Sequence, residues 1–258
     1  MPLPILTRAQ LDEALHAIGV RPGDGLLVHS ALHMLGQPEG GLEMVLDAMR
    51  ELIDAEGNIV VPAFNFGFAR GEDYDPYSTP SQGMGAFSEF VRQQPKVLRT
   101  THPMQSVAVL GPRAVEFTGL DTCSAFDDGS VFERMLRLDF KLLLLGADIQ
   151  AASIVHYSEQ RANAPYRYWK DFTGRVKQSG KWHTRTYRMF VRDLALDPQL
   201  KLAPVQRALE ARGLWQATDL NFGQLACCTL ADFVTAADEL LAADPWALVA
   251  NKPEKVTR

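Results

Sequence analysis

The sequence predicts a single α/β domain spanning 1–258, built on a central mixed, largely parallel sheet flanked by helices and carrying a β-hairpin insertion at about 166–193. Three observations carry this reading. Short, largely apolar runs at 25–30, 58–64 and 141–146 have the length of strands buried on both faces. Amphipathic stretches of helical period alternate with them, and strand–helix–strand order implies right-handed crossovers and parallel pairing. Two β-forming stretches within 168–191 flank Gln178-Ser-Gly-Lys181, which is hairpin turn chemistry. Composition agrees with an ordinary globular chain. Its 258 residues are 47% hydrophobic and 22% charged, which excludes disordered, collagenous and disulfide-scaffold classes. The net charge of −5 and pI near 5.7 argue against a nucleic-acid groove. No apolar run has the length of a membrane span, and the N-terminus lacks a cationic segment followed by an apolar one. Three cysteines, two of them adjacent, cannot form a disulfide framework. A soluble cytoplasmic protein, monomeric or homodimeric, is the expectation.

The first helix is marked by Thr7 and Gln10 at capping-box spacing, by Leu11, Leu15 and Ile18 at helical period, and by Gly19 at its end. The first buried strand follows. A Gly-rich segment at 36–41 leads into a helix over 42–53, with Val45, Met49 and Ile53 on one face; Gly57 breaks it before the second strand. From 65 to 82 no period survives. A stretch this long that holds Phe66, Phe68, Tyr74 and Tyr77 reads as a binding loop. Helix over 85–91, strand over 106–110 and a short helix over 130–137, capped by Asp127 or Ser130, come next. The third apolar strand precedes a helix over 151–161. After the hairpin, a helix is expected over 198–212 and a short strand over 225–228. Thr229 then caps the last helix, with Asp232 in its first turn.

Imidazole is the side chain suited to moving protons near neutral pH, so the six histidines are the first catalytic candidates. His16, His33 and His183 read as surface or turn residues. His29 ends an apolar strand, where open α/β sheets place ligand contacts. His102 precedes Pro103 and is held extended. His156 lies on the helix after the third apolar strand, with Glu159 at i+3 and Ser153 one turn earlier on the same face. Metal is not expected: no His-x-x-x-His or Cys-x-x-Cys occurs, and Cys227 and Cys228 would point to opposite faces of a strand. The phosphate-loop and dinucleotide motifs are absent too. Two turns offer backbone amides to phosphate oxygens instead: the one after the first strand, from His29 to Gly36, and Asp128-Gly-Ser-Val-Phe132 at a helix start.

Several short blocks together carry a resemblance. Val28-His-Ser-Ala-Leu32, Gly40-Gly41 and Val61-Pro-Ala-Phe64 form the first group. Thr79-Pro-Ser81 with Gly83-Met-Gly-Ala-Phe-Ser-Glu89 forms the second. Arg99-Thr-Thr-His-Pro-Met-Gln-Ser-Val-Ala108, Gly129-Ser-Val-Phe132, Leu143-Leu-Leu-Gly146 and Val155-His-Tyr-Ser-Glu159 follow in order. In this order and spacing, over about 6–240, the chain resembles the aminoglycoside 3-N-acetyltransferase family.

The resemblance implies an antibiotic N-acetyltransferase-like fold rather than the common acetyltransferase fold. It implies transfer of an acetyl group from acetyl coenzyme A to the 3-amino group of a deoxystreptamine sugar, without metal. His156 matches the catalytic histidine, and Asp193 best matches the acidic residue supporting it. Ser30, Ala31 and Leu32 match the turn that binds the coenzyme A pyrophosphate, with His29 beside them at the strand end as a further cofactor contact, while Ser106, Val107, Ser130 and Val131 match segments near the pantetheine arm. For a polycationic acceptor, Glu72, Asp73, Asp75 and Asp127 on loops, with Tyr74, are the expected binding wall. The chain departs from the family pattern at three places. Ala31 stands where a second hydroxyl is frequent, Ser158-Glu159 replaces the usual Ala-Glu, and 192–202 is short and lacks an acidic, aromatic stretch. These departures bear on the acceptor. An amino sugar of surface polysaccharide or a biosynthetic intermediate is the alternative acceptor, and a non-catalytic binding protein on the same fold is the second alternative.

Overall fold

The computed structural model describes residues 3–252. In chain order the elements are β1 (Ile5–Leu6), α1 (Arg8–Ala17), β2 (Gly25–Ser30), β3 (Gln37–Pro38), α2 (Gly41–Ile53), β4 (Asn58–Pro62) and α3 (Gly85–Arg92). Next come β5 (Leu98–Arg99), β6 (Val107–Leu110), α4 (Ala114–Thr118), α5 (Val131–Arg137), β7 (Lys141–Leu145) and α6 (Val155–Arg161). The hairpin strands β8 (Arg167–Gln178) and β9 (Lys181–Arg192) follow, then α7 (Ala203–Ala211), β10 (Gln216–Leu220), β11 (Gly223–Thr229) and α8 (Leu230–Ala243).

Seven strands form one mixed sheet in the order β10-β11-β7-β2-β4-β6-β5. Parallel pairing is confined to the three central strands β7, β2 and β4; the two strands on each flank run antiparallel. The expectation of a largely parallel sheet is corrected here: β6 and β11 return antiparallel to the centre after long excursions of the chain, and β5 and β10 pair with them across short connections, neither of which apolar runs reveal.

The apolar runs belong to strands covered on both faces, and alternate residues divide between two cores. Leu26, Val28, Leu143 and Cys227 face α1, α2 and α3 through Leu15, Met49 and Phe87. Leu27, Val60, Leu144 and Cys228 face the other layer through Phe132, Val205 and Phe233. The two adjacent cysteines do point to opposite sides. Among the described residues no helix is long and apolar enough to cross a membrane.

Local signals locate most of the helices. Thr7 forms the complete capping box with Gln10, and Ser130 and Thr229 cap α5 and α8 by accepting from Glu133 N and Asp232 N. In the hairpin turn Ser179 and Gly180 both have positive φ, 48° and 75°, the geometry whose twist matches paired strands. The helix expected over 198–212 begins only at Ala203, with Pro204 in its first turn. Residues 199–201 are extended instead, bonded to the chain near Leu248 and Ala250. Strand β10, an amphiphilic edge of sequence Gln-Ala-Thr-Asp-Leu, carries no apolar run and was not anticipated.

The segment 65–82 is ordered by its neighbours. Tyr74 is buried and bridges Val176 of the hairpin, forming a small satellite core with Phe68, Met104 and Tyr187. The buried Arg99 guanidinium donates to the carbonyls of Ala63 and Thr79 and to Ser106 Oγ, which ties this segment to the end of β4.

Candidate active site

Strands β2 and β7 run side by side and end together, with Ser30 opposite Leu145. Ligands of open α/β sheets lie beyond such carboxyl ends. Here the chain leaves β2 through a tight turn at Leu32–Met34. It leaves β7 through Gly146, whose φ of +70° and close approach to the Ala31 carbonyl exclude a side chain: a Cβ would lie 2.7 Å from that oxygen. Among the described residues the N–H groups of Leu32 and His33 have no acceptor, whereas Ala31 N donates to Leu145 O.

Two clefts open at this end of the sheet and meet at His156. The first, about 530 Å3, runs from His29 and the Leu32 turn past Gly83, Gly85 and Ala152. The second, about 540 Å3, lies between Phe126, Glu159 and the base of the hairpin. His156, Phe64, Met84 and Leu200 line both. His156 occupies the first turn of α6, and its ring is 28% exposed, so one edge faces the junction.

The other edge is fixed from inside. His156 Nδ1 lies 2.6 Å from Glu159 Oε2, the i+3 geometry of a helix. Glu159 is fully buried, and the same Oε2 receives Arg167 Nη2 at 2.9 Å. Burial pushes the Glu159 carboxyl up, but the hydrogen bond and charge of His156 and the Arg167 pair outweigh it and hold it below the ordinary carboxylate range. With its Nδ1 proton committed to the carboxylate, His156 presents Nε2 to the junction. Phe126 packs edge-on against the ring at 5.7 Å between centroids.

His29 is buried, and its Nε2 lies 3.3 Å from Ser153 Oγ. Burial first, and the nearby His156 second, push its pKa down to about 4, so it is a neutral wall of the first cleft. His102 is also held at about 4 by burial; its Nδ1 accepts from Gln105 N, outside both clefts.

The structure brings together His156, Glu159, His29, Ser30, Ala31 and Leu32. It revises the other expectations. The Asp193 carboxylate accepts from Ala195 N in a turn after β9, and Glu159 is the carboxylate on the histidine. Ser106 Oγ is spent on Ala63 O and Arg99, and Ser130 Oγ on its own helix, while Val107 and Val131 sit in the core. None of these four lines either histidine-bearing cleft. The carboxylates expected as an acceptor wall are paired: Glu72 with Arg70, Asp73 with Arg175, and Asp75 with Lys177 at 2.9 Å. Asp127 accepts from Ser124 N and Gln160, and Tyr74 is buried. Sequence reasoning missed Arg167, Lys170 and Arg192, which line the second cleft. Their signal was the basic hairpin, with eight Lys or Arg and one Asp between 167 and 192.

Comparison with known proteins places this geometry. The family model described as aminoglycoside 3-N-acetyltransferase matches residues 27–242. Aminoglycoside N(3)-acetyltransferase III of Salmonella is 33% identical over 181 residues, covering 63% of each chain. Aminoglycoside N(3)-acetyltransferase VIII of Streptomyces fradiae is 30% identical over 205 residues, covering 71% of each. The alignment to the Salmonella protein thus spans 63% of that relative's length. Among solved structures, a histidine-to-alanine mutant of aminoglycoside acetyltransferase AAC(3)-IVa in complex with a gentamicin superposes with a TM-score of 0.77 at 26% identity. That match covers 95% of this chain and 92% of the other. A structure described as AAC-IIIb binary with CoASH shares the fold, with a TM-score of 0.82 at 20% identity over 97% of this chain and 100% of the other. Family model, relatives and superposed sheet agree: the chain belongs to the aminoglycoside 3-N-acetyltransferase family.

Proposed function

We propose that the protein is an acetyl coenzyme A-dependent N-acetyltransferase that uses His156 as general base. The observation that carries this is a histidine oriented by a buried carboxylate at the meeting point of two clefts, one for each substrate. The first cleft fits a slim acyl-carrying chain. Its walls are backbone and small residues at Gly83, Gly85 and Ala152, and the Leu32 and His33 amides suit pyrophosphate oxygens.

The chemistry follows from the atoms present. An acceptor amine in the second cleft gives a proton to His156 Nε2 as its nitrogen bonds to the thioester carbonyl carbon. The carbon–sulfur bond breaks, and the imidazolium returns the proton to the departing thiolate, leaving an amide and free coenzyme A. Glu159 keeps the ring in the required tautomer and stabilises the imidazolium, with its own charge held by Arg167.

Two acceptor readings have support. The relatives' names and the gentamicin complex of AAC(3)-IVa favour the 3-amine of an aminoglycoside. The cations lining the second cleft favour the same chemistry on an amine that is not polycationic. Release of free thiol from acetyl coenzyme A, measured with gentamicin, sisomicin and uncharged or anionic amines, tests the transferase reading. Amine-dependent release that disappears in His156→Ala is expected. If no amine raises the thiol signal above the acceptor-free blank, the transferase reading falls and a non-catalytic binding protein takes its place.

A further inference from the structure

Building on the acetyl-transfer reading, we infer that Tyr166 is a positioning residue of the reaction: its hydroxyl donates to Glu159 Oε1 and so keeps Oε2 aimed at His156 Nδ1. The two oxygens of this buried carboxylate are unequally served. Oε2 takes both His156 Nδ1 at 2.6 Å and Arg167 Nη2 at 2.9 Å. Oε1 is buried and forms no well-aligned hydrogen bond among the described residues, and neither do the Tyr166 hydroxyl and Arg167 Nε. A charged acceptor and a donor left unserved out of water are both costly, so the two gain by meeting.

The other candidates for this role are engaged or turned away. Arg167 Nη1 donates to the Phe190 carbonyl at 3.0 Å and Nη2 to Oε2, so turning Nε toward Oε1 would break both bonds. Ser158 Oγ is buried and unpartnered as well, but a step of one residue along α6 turns it about 100° from Glu159.

Tyr166 stands where the chain, having left α6, enters β8. Ala164 N donates to Glu159 O and Arg167 N to Ala164 O, which folds this connection back onto the end of the helix. The ring is buried against Trp246, 5.6 Å between centroids, in a satellite core with Ala164 and Val249. Packing there calls only for a phenyl ring; the hydroxyl needs a partner of its own. It lies beside the carboxylate: burial first, and the Glu159 charge second, hold the phenol above its ordinary value, so it stays a donor. The charged groups facing the carboxylate are His156 on its own helix and Arg167 at the start of β8, while the neutral His29 of β2 faces the imidazole.

The test is Tyr166→Phe, which keeps the ring and removes one oxygen, with Ser158→Ala as the control. A donor on a carboxylate favours its ionised form, so without the hydroxyl the Glu159–His156 pair takes up its proton at higher pH. Thiol release from acetyl coenzyme A is followed with the most rapidly acetylated amine among gentamicin, sisomicin and uncharged or anionic amines. The acid limb of kcat/KM should move up by about half to one pH unit. Turnover at neutral pH should fall about three- to tenfold, with the Michaelis constants of both substrates within about twofold of the parent's. Ser158→Ala should match the parent in both readouts. A parent-like acid limb in Tyr166→Phe overturns the inference, even if the melting temperature falls, because lost packing alone would do that. An equal change in Ser158→Ala overturns it too. If no amine raises thiol release in the parent, the transfer reading fails separately, and NMR then decides the positioning role alone. The hydrogen-bonded Nδ1 proton of His156 should exchange with water at least about threefold faster in Tyr166→Phe than in the parent; equal exchange overturns the inference.

Discussion

The two clefts that meet at His156 are built from different material. The first is made of strand ends, tight turns and small residues, and its polar groups are backbone amides at Leu32 and His33. The second is made of long side chains on a two-stranded ribbon outside the main sheet. Backbone at a strand end is fixed by the sheet behind it, so that cleft comes with the fold. The ribbon's exposed side chains have no such sheet behind them, although its Val176 and Tyr187 are buried in the satellite core. The histidine at the junction is held from the side of the second cleft, by Glu159 of its own helix and by Arg167 at the hairpin base.

The largest expected effect falls on the junction itself. His156→Ala should lower turnover by about 10²–10⁴-fold while leaving coenzyme A affinity near that of the parent. Single-turnover thiol release and calorimetry together read this, and near-normal turnover would remove His156 from the mechanism. Glu159→Gln should cost on the order of a hundredfold in turnover, because an amide oxygen orients the ring without stabilising its charge. It also leaves Arg167 buried without a counter-charge, which destabilises by roughly 3–5 kcal/mol and should appear as a lowered melting temperature. Asp193→Asn is the matched control, and turnover unchanged from the parent is expected, since that carboxylate serves a turn.

The first cleft is sharpened by Gly146→Ala. A methyl group there meets the Ala31 carbonyl at 2.7 Å in a left-handed conformation. Strain of about 1–2 kcal/mol should displace the turn and weaken coenzyme A binding about tenfold, without a comparable loss of acceptor affinity. Equal losses on both substrates would show that the clefts are not separable.

Acid should loosen the core behind the first cleft. His29 and His102 are held neutral to about pH 4 by burial, against an ordinary value of 6.5. Between those values the unfolded chain binds more protons than the folded one. Stability is therefore fully present above 6.5 and falls as pH drops toward about 4. Thermal melts over this range should show the decline, and His102→Gln should make it shallower. The smallest effect is expected from Asp73→Asn. The Arg175 partner is exposed and the pair is screened by solvent, so the melting temperature and the acceptor's Michaelis constant should both stay at the parent's values.

Much of this was legible in the residues. Apolar runs, the Thr7 capping box, the Ser179-Gly180 turn and the position of His156 after an apolar strand are local signals, and local signals survive without a structure. Glu159 at i+3 belongs to the same class, since helical spacing alone brings it to the ring. Asp193 was the competing choice on resemblance, and a turn that uses its carboxylate locally decided against it. The loop acids Asp73 and Asp75 looked free because their partners lie about a hundred residues away, on a hairpin whose register no local pattern reports.

Period, capping and turn chemistry act within a few residues. They are enough to say which segments are buried on both faces, where most helices begin, and which histidine shares a helix face with an acid. Which charges remain unpaired is settled later, when the chain has folded and distant side chains have found each other; charge at a site is what is left over. Arg175 and Lys177 are cancelled by a loop some hundred residues earlier, whereas Lys170 and Arg192, of the same hairpin and residue types, line the second cleft without an ion-pair partner among the described residues.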